Sequence, residues 1–339
     1  MKLNVELGSN SYDIVIERGS LKKASRYLDL DRKVLVITDR GVPIEYANEI
    51  CNVSAYPVRV TVEPGEESKG FANYEKLCSI MLEHGFTRTD CVVAVGGGVV
   101  GDLAGFVAST YMRGVDFYNV PTTLLSQVDS SIGGKTAINF GGIKNIIGSF
   151  YQPKRVLIDP ETLKTLPSRQ ISNGFAEIIK MAVNFDEELF ETLENDDIQS
   201  DKKLDDIIAR ALKIKKHVVE TDEKEQGLRR VLNFGHTIGH GIEYQQDLSG
   251  LYHGECVAIG MLPMCSNEIR GRVRSVLGKA GLPVMWKYDT EKIYKAVLHD
   301  KKLDGDKISL VFCDKIGSYR VSKIPVKEFK EILNSTYGE

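Results

Sequence analysis

The stretch 91–113, CVVAVGGGVVGDLAGFVASTYMR, constrains the fold of this chain more than any other. It opens with a short apolar run rich in β-branched residues, the pattern of a strand buried in a parallel sheet. Gly96, Gly97, Gly98, Gly101 and Asp102 follow, and then Leu103, Phe106, Val107, Thr110 and Tyr111 fall at helical spacing. The stretch therefore reads as strand, glycine turn, helix. Glycines let a backbone approach a ligand closely and adopt positive φ. A helix N-terminus offers open N–H groups and partial positive charge to a phosphate. The turn thus reads as a nucleotide pyrophosphate site, with an ordinary tight turn as the competing reading. The spacing GGGxxGD is not GxGxxG, so a standard dinucleotide fold is not implied.

The residues on either side extend the same pattern. They predict a hairpin over 2–7 and 11–17, a helix over 20–28, a strand over 33–38, a helix near 42–50 and a strand near 56–62. Residues 63–69, EPGEESK, read as a loop, 71–84 as a helix, and 115–120 and 155–159 as further strands. Asp39 ends its strand, where a carboxylate can meet a ribose hydroxyl or cap the next helix. Thr122 and Thr123 likewise follow a strand end. Residues 131–149 are rich in Gly, Ser, Lys and Asn and read as a loop, in which Lys135, Lys144 and Asn145 suit an anion. Strands alternating with helices imply an α/β N-terminal domain, 1–159, with a mostly parallel, Rossmann-like sheet. From residue 160 the character changes. Helices are predicted over 161–166, 168–183, 186–195, 202–219, 231–245 and 254–271, then a hairpin, 308–313 with 318–322, and a helix over 326–335. The C-terminal domain, 160–339, is expected to be mainly α-helical.

Bulk properties narrow the function. A length of 339 residues favours two domains. A net charge of −3 provides no global basic field for nucleic acid. No run approaches the roughly twenty apolar residues of a membrane span, and the opening residues lack the apolar core of a signal peptide. The six cysteines form no CxxC pair and read as reduced thiols, which points to the cytoplasm. The expected partner is a small molecule, with no nucleic acid and no membrane.

Three of the six histidines, His236, His240 and His253, fall in one short window. His236 and His240 stand at i, i+4 and share a helix face. Imidazole is a common ligand for zinc and similar metals, and a catalytic site wants about three protein ligands and an open position. Spacing alone favours His236 with His240, completed by Glu177, which lies in a helical segment with Lys180 three residues on. Thr237 stands where HExxH would carry its glutamate, so a protease is not indicated. Arg113, Lys135, Lys144, Lys180, Lys215, Arg229, Lys301 and Lys302 gather with these elements and suggest a polyanionic small substrate.

The segments GGGVVGDLAGFVASTYMRG, VPTTLLSQVDSSIGGKTAIN, GGIKNIIGSFYQPKRVLIDPETLKTLP, GFAEIIK, DEKEQGLRRVLNFGHTIGHGIE and HGECVAIGM together resemble the 3-dehydroquinate synthases, in order and spacing, from about residue 60 to 320. The resemblance implies an NAD-dependent, divalent-metal lyase, with zinc or cobalt. It would act in the second step of the shikimate pathway, on the way to aromatic amino acids, and commonly as a homodimer. The substrate would be 3-deoxy-D-arabino-heptulosonate 7-phosphate (DAHP) and the products 3-dehydroquinate and phosphate. The reaction would run through transient oxidation by NAD, phosphate elimination, reduction, ring opening and intramolecular aldol closure. Related sugar phosphate cyclases (2-deoxy-scyllo-inosose synthase, aminodehydroquinate synthase) and metal-dependent polyol dehydrogenases are the alternatives.

Carried over residue by residue, the resemblance implies Glu177, His236 and His253 as metal ligands, with His240 near the substrate phosphate. NAD would meet Asp39, the loop of Pro64, Gly65, Glu66, Glu67, Ser68 and Lys69, and the turn of Gly98, Val99, Val100, Gly101 and Asp102. It would also meet Thr122, Thr123, Lys135, Lys144, Thr162, Leu163, Lys164 and Thr165. Lys135, Lys180, Lys215, Asn233 and His240 would be catalytic, and Arg113, Asp129, Asn145, Arg229 and one of Lys301 and Lys302 would bind substrate. Two departures from the family pattern stand out. Gly241 replaces the usual alanine after the second histidine, and Gly41 stands two places after Asp39, where an asparagine is common.

Overall fold

A computed structural model describes residues 1–337, apart from 199, 246–249, 287–288, 299–302 and 305. The chain groups into two compact units, Met1–Pro167 with Lys215–Lys224, and Ser168–Ile214 with Glu225–Glu339.

Among the described residues, the first unit is built on a seven-stranded sheet. Its strands are β1 (Lys2–Val5), β2 (Tyr12–Ile16), β3 (Lys33–Asp39), β4 (Tyr56–Val62), β5 (Cys91–Gly96), β6 (Asp116–Pro121) and, after a separate hairpin of β7 (Lys135–Phe140) and β8 (Ile143–Phe150), β9 (Arg155–Ile158). The order across the sheet is β1-β2-β9-β6-β5-β3-β4. Every pairing is parallel except β1 with β2. The alternation within β3 and β5 sorts side chains to the two faces. Leu35, Ile37, Val92 and Ala94 face Leu77, Met81, Leu103 and Val107, from helices α2 (Phe71–Glu83) and α3 (Gly98–Thr110). Val34, Val36, Val93 and Val95 face Ala47 and Ile50 of helix α1 (Ile44–Asn52) and Leu21, Leu28 and Leu30. Burial on both faces is what the apolar run of β5 requires. The chain passes from β3 outward to β4 and returns to β5 on the other side of β3, so a crevice opens past the C-terminal ends of β3 and β5.

The second unit contains α4 (Ser168–Phe185), α5 (Glu187–Asn195), the first part of α6 (Asp201–Thr221), α7 (His236–Gln245), α8 (His253–Met261), α9 (Asn267–Lys279), α10 (Thr290–Leu298) and α11 (Val326–Tyr337). A small antiparallel sheet of β10 (Leu303–Asp304), β11 (Lys307–Phe312) and β12 (Arg320–Pro325) completes it. Among the described residues no helix is long and apolar enough to cross a membrane.

Several local expectations differ from the fold. Residues 135–150, expected as loop, form the β7–β8 hairpin, turned by Gly141 and Gly142 with φ of 60° and 78°. The hairpin's buried residues, Thr136, Ala137 and Ile138, are consecutive, so they show no alternation. The helix expected over 231–245 is a 3-10 turn, Leu228–Asn233, then Gly235 at φ 78°, then α7. The helix expected over 254–271 is divided into α8 and α9 by a 3-10 turn containing Pro263. The segment expected as helix over 20–28 is 3-10, Leu21–Arg26. Helix α10 was not anticipated.

Candidate functional site

In the first unit, five segments with expected cofactor residues each follow the C-terminal end of a parallel strand: Asp39 ends β3, 64–69 follow β4, 98–102 follow β5, 122–123 follow β6 and 162–165 follow β9. At the glycine turn, the Thr122 N–H donates to the Gly96 carbonyl at 2.9 Å. Gly97 is the N-cap of α3, with φ −79° and ψ −168°, and supplies no side-chain cap. None of Gly96, Gly97, Gly98 and Gly101 has positive φ, contrary to one expectation. Their glycine character serves close approach instead. A Cβ would lie 3.1 Å from Thr123 Cγ2 at Gly97, 3.1 Å from Ser130 Oγ at Gly98 and 3.1 Å from Asn119 Nδ2 at Gly101. No side chain caps the first-turn N–H groups of α3, Val99 and Val100 among them.

Asp102 lies in the same helix, and its carboxylate holds the Lys69 ammonium at 2.7 Å. Lys69 is 3% exposed and also lies 3.5 Å from Glu66. Burial favours its neutral form, but the Asp102 and Glu66 carboxylates outweigh burial and hold its pKa above the ordinary lysine value. The pair ties the 64–69 loop, where Gly65 has φ 104° and Ser68 Oγ donates to the Glu63 carbonyl at 2.5 Å, to α3. Burial raises the Asp39 pKa against the pull of the Gly41 and Val42 N–H groups. The Gly41 N–H donates to Asp39 at 2.7 Å, and a Cβ at Gly41 would stand 3.0 Å from that oxygen. Thr162 accepts from Gln127 at 3.1 Å, Thr165 meets the Tyr46 hydroxyl at 2.9 Å, and Lys164 pairs with Glu161 at 2.6 Å.

Other expected residues of this unit are placed differently. Lys135 begins β7, exposed and close enough for its charge to act on Asp102. Lys144 and Asn145 are exposed on β8, and Asn145, at φ 56°, donates its N–H to Asn139 Oδ1 at 2.8 Å. Lys215 is buried and pairs with Asp129 at 2.5 Å. Arg113, at φ 69°, is exposed beyond the C-terminus of α3, the opposite end of that helix from the glycine turn.

In the second unit, α4 sets Asn173, Glu177 and Lys180 at spacings of four and three, hence on one face. Asn173 Oδ1 accepts the Gly254 N–H at 2.6 Å, and a Cβ at Gly254 would come within 2.2 Å of the Asn173 carbonyl. This approach sets His253, the first residue of α8, beside Glu177. Arg169 steadies the same end, donating to both Glu255 oxygens at 2.7 Å while Glu255 accepts the Tyr252 N–H at 2.7 Å. Helices α7 and α8 meet backbone to backbone: a Cβ at Gly260 would lie 2.1 Å from the Gly235 carbonyl, and one at Gly239 3.1 Å from Val257 N. That contact presents His236, the first residue of α7, to the same carboxylate.

Glu177 Oε1 lies 3.7 Å from both His236 Nε2 and His253 Nε2, and Glu177 is fully buried. The three residues each offer a donor atom within 4.8 Å of the others. His236 Nδ1 faces the Phe234 carbonyl at 3.2 Å; a carbonyl only accepts, so Nδ1 carries the proton and Nε2 keeps its lone pair. Burial, aided by the Lys180 charge, pushes the His236 pKa well below its ordinary value. Burial acts the same way on His253, but the Glu177 and Glu243 carboxylates outweigh it and hold His253 up at about 10. Lys180, 1% exposed, forms an ion pair with Glu177 Oε2.

The pairing favoured by spacing, His236 with His240 around Glu177, is not the one the fold makes. His240 is exposed, with its ring 5.3 Å from that of His236, and its donor falls in a second group with Glu243 and His253. An i, i+4 spacing fixes a shared face but says nothing of what another helix delivers to it. Asn233 donates to Glu225 at 3.0 Å, and Arg229, 1% exposed, lies in the preceding 3-10 turn. Lys301 and Lys302 lie outside the described residues. Sequence reasoning passed over Arg169, Asn173, Glu243 and Glu255; only Glu243 carried a signal, three residues after His240 on the same helix face.

The family models for the 3-dehydroquinate synthase N-terminal and C-terminal regions match residues 59–173 and 174–303. A 3-dehydroquinate synthase of Enterococcus faecalis is 43% identical, over 100% of this chain and 100% of its own. A crystal structure of 2-deoxy-scyllo-inosose synthase with carbaglucose-6-phosphate, NAD+ and Co2+ has a TM-score of 0.89 at 26% identity, covering 99% of this chain and 100% of its own. The 2-epi-5-epi-valiolone synthase of Streptomyces hygroscopicus, with NAD+ and Zn2+ bound, has a TM-score of 0.86 at 27% identity, covering 97% of each chain. With both halves of its sequence and its full length matched in this way, the chain belongs to the 3-dehydroquinate synthase family.

Proposed function

We propose that this protein converts DAHP to 3-dehydroquinate and phosphate, using NAD and one divalent metal ion. The observation that carries the metal assignment is the convergence of one buried carboxylate and two imidazoles, with Glu177 Oε1 3.7 Å from both His236 Nε2 and His253 Nε2. Ligands at about 2.0–2.2 Å around tetrahedral zinc stand at a similar spacing. For NAD, the fit rests on the first turn of α3, whose N–H groups no side chain caps and whose glycines carry no side chains of their own.

When bound, the two groups supply reversible hydride acceptance and Lewis-acid polarisation of a substrate oxygen. The chain's own residues do the rest. Asp39, residues 64–69, 98–102, 122–123 and 162–165, with Lys135 and Lys144, hold the cofactor. Neutral His236 keeps Nε2 free to coordinate. Lys180, buried against Glu177, sets a fixed positive charge where negative charge develops on substrate oxygen. His240 and Asn233 orient the departing phosphate, and Arg229 the carboxylate. Lys215, aligned by Asp129, and Asn145 supply further donors, with Arg113 on the substrate side.

The deciding assay is phosphate release from DAHP with catalytic NAD and added zinc, followed together with absorbance for NADH. Phosphate released in many turnovers per NAD, with no net NADH and full loss on chelation, is the expected result. Phosphate from glucose 6-phosphate but none from DAHP, or NADH accumulating on a polyol, overturns the reading.

We infer that the chain works in the cytoplasm, where its six cysteines, none of them in a disulfide, stay reduced. We also infer that it works as a homodimer. Exposed Phe140, Ile143 and Phe150 of the β7–β8 hairpin offer apolar surface to a second copy. Light scattering checks this: a mass of one chain at micromolar concentration counts against it.

A further inference from the structure

His253 has two ring nitrogens with different neighbours. Nε2 lies 3.7 Å from Glu177 Oε1, and Nδ1 lies 2.6 Å from Glu243 Oε1. The two distances mean different things. Two ligands of one zinc ion, each at about 2.0–2.2 Å in tetrahedral geometry, stand more than 3 Å apart. The Nδ1–Oε1 distance is too short for that and is the length of a charge-assisted hydrogen bond. The grouping of His240, Glu243 and His253 is therefore not a second metal triad in this arrangement. An ionised carboxylate can only accept, so the proton of this bond sits on Nδ1.

We propose that Glu243 is a positioning residue of the metal site: it accepts the His253 Nδ1–H, fixes the ring in one tautomer and one orientation, and so aims Nε2 at the point faced by Glu177 and His236. The arrangement has its counterpart on the other imidazole, where the Phe234 carbonyl does the same for His236. The need is greater at His253. Its side chain is 34% exposed, against 11% for His236, so packing restrains the ring less. Glu243 is also well placed to be rigid, because α7 carries it two turns beyond His236, and α7 meets α8 through Gly239 and Val257. The same helix thus brings one ligand, His236, and the brace of the other. This inference rests on the metal assignment above.

The test is zinc titration of metal-stripped protein against a chromophoric chelator, on the full chain and on Glu243→Ala, Glu243→Gln and His240→Ala. Thermal unfolding of the metal-free forms checks that each variant folds. Loss of an outer carboxylate partner of a metal-bound histidine typically weakens affinity about 10–100-fold. The expected result is one zinc per chain throughout, a loss of that size in Glu243→Ala, a smaller loss in Glu243→Gln, whose amide oxygen still accepts, and little change in His240→Ala. Cobalt(II) absorption should change in band shape in Glu243→Ala, since it follows ligand geometry, while a fault elsewhere in the fold would leave it as in the parent. Zinc affinity in folded Glu243→Gln and Glu243→Ala equal to that of the parent overturns the proposal. Two zinc ions per chain, falling to one in both Glu243→Ala and His240→Ala, overturns it in favour of a second metal triad. No zinc binding by the unsubstituted chain overturns the metal assignment itself.

Discussion

The proposed role of His253 as a metal ligand uses a nitrogen that the metal-free protein protonates. Glu177 and Glu243 hold its pKa at about 10, above the ordinary 6.5. A histidine with a raised pKa stabilises the metal-free fold fully below about 6.5, and that stabilisation is lost as pH rises through about 10. Zinc binding has the opposite dependence, because the ligand must be neutral. Apparent zinc affinity should therefore rise with pH across 7 to 9, and near pH 7.5 about one proton should be released per zinc bound. Calorimetric titration in buffers of different ionisation enthalpy measures that proton; release of none at pH 7.5 removes the assignment of His253 Nε2 as a ligand. His236 contributes no such proton, because burial and Lys180 already keep it neutral. At this scale the proposed ligands Glu177, His236 and His253 were reached through family motifs, where the spacing of the histidines alone favoured His236 with His240. What could not be read was the protonation of each ring, which depends on Phe234, Glu243 and Lys180 arriving in space.

The elements show why the glycines stand beside these histidines. Gly254, Gly260, Gly235 and Gly239 remove the side chains that would separate α4, α7 and α8, and the proposed metal-binding donors sit at the resulting contacts. Gly254→Ala is expected to push the start of α8 away from Asn173, whose carbonyl would stand 2.2 Å from the new Cβ. Overpacking of this kind costs about 1–3 kcal/mol. The shift should also weaken zinc binding by moving His253, an outcome that thermal unfolding and zinc titration measure together; a variant with unchanged stability and affinity would argue that the helices can part freely. Gly241 follows the same rule. An alanine there would gain up to about 1 kcal/mol of helix propensity, but its Cβ would meet Ile293 Cγ2 of α10 at 2.8 Å, so the departure from the family pattern matches the neighbour present here. Long periodic helices such as α4 were readable because one face is apolar throughout. The breaks at Gly235 and Pro263 were not, since helical periodicity runs through both.

At the scale of the whole molecule, the expected cofactor residues with the glycine turn and the proposed metal-binding donors belong to different compact units. Each ligand should therefore leave its own mark in hydrogen exchange. NAD is expected to slow exchange at 96–102, and zinc at 236–243 and 253–256. Zinc at a hundred times its dissociation constant stabilises the form that binds it by about 2.7 kcal/mol. Protection of the glycine turn by zinc, with the histidine segments unchanged, would contradict the division of labour proposed here.

The pattern along the chain was enough for the fold class, the parallel strand and glycine turn of 91–101 and the helical character beyond residue 160, while the proposed ligands Glu177, His236 and His253 were implied through resemblance to a family, spacing alone having favoured His236 with His240. These follow from local period, from glycine spacing and from motifs contiguous in the chain. It took the packing of segments distant in the chain to show that the glycines of the turn serve close approach without positive φ, that 135–150 is a hairpin, that Arg113 lies at the far end of α3, and that Glu243 stands against His253 Nδ1. Each of these depends on which atoms of distant residues come within a few ångströms of one another, and no periodicity along the chain carries that distance.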